Sequence, residues 1–178
     1  MNVGEEICGE WLRWVKGCDF VQYNLKTQTV QGEIDVIGID LTNKIVYACE
    51  VAIHLVTGLQ YTKNAQPNNV DLLVTKFRKD IEYIRSSFPD YEHQLMFWSP
   101  IVKNQKPGSK HNQQRDVELI VRSIHEEYGV EIKSMINNQF QSALDDLRAV
   151  AAGETKALEG NVLRYLQIEE RLNKHLTK

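Results

Sequence analysis

Gly32-Glu33-Ile34-Asp35-Val36-Ile37-Gly38-Ile39-Asp40 is followed, after a short polar turn, by Ile45-Val46-Tyr47-Ala48-Cys49-Glu50-Val51-Ala52. Both stretches read as apolar strands, and each carries a carboxylate near its middle or end. Strict alternation puts Glu33, Asp35 and Ile37 on one face of the first strand, and Glu50 with Ala52 on one face of the second. If the strands pair antiparallel across the turn Asp40 to Lys44, Asp35 and Glu50 converge on one divalent cation. A carboxylate inside an apolar strand is costly unless paired or metal-bound, which singles out Glu50 between Cys49 and Val51. Asp35, flanked by Ile34, Val36 and Ile37, is marked by the same argument, with pairing to an Arg or a turn cap as its structural alternative.

Outward from these strands the chain alternates between helix and strand. Gly4 to Lys16 has a helical apolar stripe (Ile7, Cys8, Trp11, Leu12, Val15) closed by Gly17. Strands are expected at Phe20 to Asn24 and Thr29 to Ile39 around a turn Lys26 to Gln28, and Ile45 to Ala52 reads as a strand buried on both faces. Thr57 to Asn69 reads as a loop. Val70, Leu73, Val74, Phe77, Ile81 and Ile84 then mark a long helix to about Ser87, stopped by Phe88-Pro89-Asp90. The remainder reads as strand (Gln94 to Trp98), helix (Gln113 to Tyr128), strand (Val130 to Ile136), helix (Asn138 to Ala152) and a last helix from about Thr155 to Leu176. The expected fold class is α/β, a mixed central sheet flanked by helices, with a domain over 1–136 and a C-terminal helical extension over 137–178. The last helices are expected either to cover the sheet or to form a homodimer contact.

Composition bounds the function classes. The 178 residues carry a formal net charge of -3, with 42% hydrophobic and 25% charged residues, which suits one compact domain and does not announce a nucleic-acid binder. Lys103, Lys106, Lys110 and Arg115 form an acid-free basic stretch, for which a solvated loop is the commoner explanation. Three cysteines without CxxC spacing point to neither a disulfide framework nor a zinc site, and fit a cytoplasmic protein. No signal segment or membrane span is expected, and no P-loop, GxGxxG or GxSxG motif occurs. Trp11, Trp14 and Trp98 fall within apolar patterns and are expected in the core.

The residue order resembles the PD-(D/E)xK nuclease superfamily, with its restriction-endonuclease-like fold, and within it the small bacterial YraN-type and Holliday-junction-resolvase-like proteins. The matches are Gly4-Glu5, Cys8, Trp11-Leu12, Asn24, Gly32 to Ile37, and Glu50-Val51, over about residues 3 to 100. The resemblance implies a metal-dependent nuclease acting on nucleic acid, expected to be DNA, in repair, recombination or restriction. It implies Mg²⁺ or Mn²⁺ held by Asp35, Glu50 and the backbone carbonyl of Val51, since phosphodiester hydrolysis suits a hard cation on oxygen ligands. Glu5, at the edge of the first helix's apolar stripe, is expected to reach the metal's water shell, whereas Glu6 and Glu10 point farther from that stripe. A plain helix-terminus charge is the alternative for Glu5. Glu33 is expected at the rim.

The departure is Ala52, where the family has the Lys that orients the attacking water or steadies developing charge. Either a basic residue has migrated, with Lys76 on the following helix the first choice and Lys63 the second, or catalysis is lost and a binding module remains. His54, expected on the same strand face as Ala52, is a further candidate for the missing contact, with a structural role as its alternative.

Overall fold

The computed structural model describes residues 2–27, 32–106, 108–109 and 111–177. Asn2 starts the first helix, α1 (Val3–Trp14), with a capping box: its side chain accepts from the Glu5 backbone N–H at 3.0 Å and its own N–H donates to Glu5 Oε2 at 2.9 Å. The chain continues through β1 (Phe20–Thr27), β2 (Gly32–Asp40), β3 (Ile45–Val51), β4 (Thr62–Lys63), β5 (Gln66–Pro67), α2 (Asn69–Ser87), β6 (Glu92–Ser99), α3 (Gln113–Tyr128), β7 (Ile132–Ile136), α4 (Asn138–Gly153) and α5 (Asn161–Leu176). The expected turn residue Gln28 and the strand start at Thr29 lie outside the described residues. Where the sequence suggested an irregular loop over 57–69, β4 and β5 form a small antiparallel hairpin.

Five strands make a mixed sheet in the order β1-β2-β3-β6-β7. The first three run antiparallel, and β3, β6 and β7 run parallel. Because successive side chains of a strand leave opposite faces, β6 sends Met96 and Trp98 to one core and Leu95 and Phe97 to the other. The helices α2 and α3 cover the second face, while α1, α4 and α5 cover the first. The sequence-based boundary at residue 136 therefore falls inside continuous packing: Phe140, Leu147, Leu158, Leu163 and Leu166 share a core with Trp11, Val36, Cys49 and Trp98. No helix among the described residues is long and apolar enough to cross a membrane.

One expectation about an individual side chain is overturned. Trp14 is 41% exposed rather than in the core, because it lies past the turn of α1 that packs on the sheet. Glu6 and Glu10, farther from the apolar stripe than Glu5, are buried as well, because the start of α5 lies against that side of α1. Glu6 accepts the backbone N–H groups of Asn161 and Val162, supplying the acceptor that the α5 N-terminus needs. The last helix accordingly starts at Asn161 rather than near Thr155.

Candidate functional site

The antiparallel β1–β2 ladder skips one pair. Tyr23 faces Val36 and Leu25 faces Ile34, but Asn24 and Asp35 between them do not pair, and Asn24 has φ +50°. The break reverses side-chain parity in both strands: Tyr23 and Val36 pack under α1, whereas Leu25 and Ile34 pack under α2. Asp35 consequently does not share a plain strand face with Glu33 and Ile37, as alternation predicted. Glu33 is exposed, Ile37 is in the α2-side core, and the Asp35 carboxylate turns into the opening where β2 and β3 part. The β2–β3 ladder begins at Val36 opposite Cys49, and beyond it Asp35 Oδ2 accepts the Val51 N–H at 2.8 Å. A side chain here replaces the next rung of the sheet.

Glu50 lies on β3 toward α2, 1% exposed. Lys76 comes down from α2 and bridges the two strands: its ammonium is 3.2 Å from Asp35 Oδ1, 3.3 Å from Asp35 Oδ2, and in closer contact with Glu50 Oε2. Three of the four side chains expected at the site, Asp35, Glu50 and Lys76, thus meet directly. Glu5 joins at one remove, accepting from Asn24 Nδ2 at 2.8 Å, while the same amide lies 3.5 Å from the Asp35 carbonyl. Glu5 therefore combines its capping role in α1 with a link to the distorted strand pair. Gly4 and Gly9 permit this seating of α1, since a Cβ would collide with Ile53 at Gly4 and with the Tyr23 ring at Gly9.

The other candidates are placed elsewhere. Lys63 is exposed in the β4–β5 hairpin and takes no part in the cluster. Since β3 ends at Val51, His54 is not on a strand face; its ring packs edge-on against Tyr61 with centroids 4.9 Å apart. Ala52 is buried in the α2-side core, its N–H donating to the Trp98 carbonyl at 2.8 Å. In the basic stretch, Lys103 Nζ donates to the Val56 carbonyl at 2.8 Å, Lys106 and Arg115 are exposed, and Lys110 lies outside the described residues.

Asp80 is the site residue that the sequence reading missed. It lies one helical turn after Lys76 in α2, 2% exposed, with its carboxyl within hydrogen-bonding reach of Glu50. Its position in the apolar stripe Leu73, Val74, Phe77, Ile81, Ile84 was the available signal. Burial, helped by the charges of Asp80 and Asp35, pushes Glu50 well above the usual carboxylate range, against the pull of Lys76. Burial likewise lifts Asp80 from 3.8 to about 7, although its contacts with Glu50 and Lys76 act the other way. Burial alone would depress Lys76, but Glu50 and Asp35 hold it above the usual lysine range.

The Asp80 shift has a definite sign in stability. The unfolded chain loses this proton near 3.8 and the folded chain near 7, so folding loses stability as pH rises through that window, by at most about 1.4 kcal/mol per unit. Glu50 contributes with the same sign, whereas the raised Lys76 pKa acts only at alkaline pH. In thermal melts with chelator, Asp80→Asn should gain on the parent protein as pH goes from 4 to 8. A constant difference in melting temperature across that range would contradict the assignment.

Surface clefts lined by Val117, Val121 and Ile136, or by Ile168 and Leu172, lie away from these residues. Among the described residues, no three His, Cys, Asp or Glu side chains stand together as a ready metal-holding group. The fold and cluster define an α/β protein with a lysine-bridged carboxylate site at the gap between two central strands. Comparison of the chain with family models, curated proteins and solved structures finds no match.

Proposed function

We propose that the protein is a metal-dependent nuclease of the PD-(D/E)xK superfamily, with the restriction-endonuclease-like fold, hydrolysing phosphodiester bonds in DNA. The observation that carries this reading is the Lys76 ammonium touching both Asp35 and Glu50. A lysine from α2 supplies at that place the charge that Ala52 cannot. The order helix, three antiparallel strands, helix, then a strand parallel to the third also supports it.

The residues fit a hard divalent cation. Among the described residues no N–H or hydroxyl donor meets the buried Glu50 Oε1, and an oxygen acceptor left in that state is costly unless a cation or proton meets it. Asp35, Glu50 and the Val51 carbonyl would hold Mg²⁺ or Mn²⁺. When bound, the cation supplies charge against the scissile phosphate and lowers the pKa of its water. Lys76 then directs its protons toward charge developing on the phosphate, and Asn24, fixed by Glu5, keeps the Asp35 strand in its distorted form.

Plasmid, linear and branched DNA and RNA, each incubated with Mg²⁺ or Mn²⁺, test the reading. Asp35→Asn and Glu50→Gln should each lower cleavage by about 10²–10³ while retaining the fold. Absence of cleavage by the parent protein on every substrate would remove the enzyme reading. A catalytically silent module that binds nucleic acid or a protein is the second reading. It is favoured by the same ion pairs, because Lys76 already neutralises the carboxylates without a metal. A homodimer belongs with it, through Tyr165, Ile168 and Leu172, which α5 leaves exposed.

A further inference from the structure

Asp80 is an expensive residue for its position. It occupies the middle of α2, on the face where Phe77, Ile81 and Ile84 are buried, and aspartate is a poor helix former there. An apolar side chain would fill the place at lower cost. Among the described residues, no N–H or hydroxyl donor meets two buried oxygens in this corner, Glu50 Oε1 and Asp80 Oδ2. Lys76 engages the other Glu50 oxygen and Asp35, so it leaves both unanswered. Lys79, the next cation on α2, acts on Asp80 only as the weakest of its charge influences.

We infer that Asp80 is a ligand of the cation held by Glu50, with Glu50 Oε1 and Asp80 Oδ2 taking adjacent positions in its coordination shell. The spacing suits this role. Asp80 stands one helical turn after Lys76, whose ammonium contacts Glu50, so the two unanswered oxygens belong to one buried corner between α2 and β3. A cation there meets both unpartnered oxygens at once, taking the place of the protons that burial otherwise holds on Glu50 and Asp80. A ligand on the helix after β3 lies outside the strand motif. The inference rests on the metal-dependent reading of the site for the presence of a cation, but not on cleavage.

Titration with Mn²⁺ alone, followed by calorimetry and by the electron spin resonance of free Mn²⁺, tests it on the full chain at pH 7.5. Asp80→Asn should bind Mn²⁺ at least about tenfold more weakly than the parent protein. It should also lose the Mn²⁺-induced rise in melting temperature. Without metal the variant should melt no lower than the parent, since the amide can donate to Glu50 Oε1. Asp80→Leu, which matches the apolar stripe of α2, replaces it if the asparagine variant does not fold. Binding within twofold of the parent protein would show that Asp80 is a structural filler, leaving the Asp35 and Glu50 assignment intact. No Mn²⁺ binding by the parent protein at millimolar concentration would overturn both.

Discussion

Truncation after Asn137 is expected to leave a chain that does not fold. The removed segment contributes Phe140, Leu147, Leu158, Leu163 and Leu166 to the core on the α1 side of the sheet. At about 1.5–3 kcal/mol for each large apolar side chain, their loss amounts to about 7–15 kcal/mol, comparable with the whole stability of a domain. Specific partners go with them. Trp98 loses the edge-on ring of Phe140, 5.9 Å away, and Trp11 Nε1 loses Asp146 Oδ2, its acceptor at 2.9 Å. Glu6 would remain as a buried carboxylate stripped of the α5 amides it caps. Residues 1–137 should be insoluble, or should bind a hydrophobic dye and melt without cooperativity. A soluble monomer with the parent melting temperature would show α4 and α5 to be an appendage, and the packing described above would be irrelevant to stability.

The sequence revealed most where side-chain period and chemistry coincide. In β3, Glu50 stands out because its neighbours are apolar on both sides, as a strand covered on two faces requires. Lys76 was legible because the resemblance read from the sequence implies a basic residue on the helix after β3, and Lys76 flanks the apolar stripe of that helix. The same kind of contrast marks Asp80, whose carboxylate falls inside that stripe, but identifying it needs the helix phase to be followed residue by residue. Parity failed at Asn24 and Asp35 for a physical reason: one left-handed residue opposite one unpaired carboxylate breaks alternation in both strands, and no composition signal announces it. The burial of Glu6 and Glu10 was hidden because α5, which covers them, begins 155 residues beyond Glu6. Local pattern can define the apolar face of a helix, but not whether a distant element covers its polar one.

Lys76→Met should lower both the stability of the protein and the proposed chemistry. The ammonium is in direct contact with both Asp35 and Glu50, and its removal leaves a buried carboxyl, Glu50, beside Asp80 and Asp35 without the cation that bridges them. Breaking a buried pair from one side costs about 3–5 kcal/mol. Protons retained by Glu50 and Asp80 bring the expected loss toward the lower figure at neutral pH. Cleavage should fall by about 10²–10³ if the ammonium faces the developing charge. Lysine restored at position 52 decides between migration and decay. The Ala52 side chain lies in the α2-side core, two residues beyond Glu50, so a lysine there can extend toward the space that the lost ammonium vacates. The double variant Ala52→Lys, Lys76→Met should then recover most of the lost activity and stability. Ala52→Lys alone should change little in a working site, because Lys76 already occupies the place. If Ala52→Lys instead creates cleavage in an otherwise inert protein, Lys76 is a lock on a silent site rather than its migrated catalytic lysine.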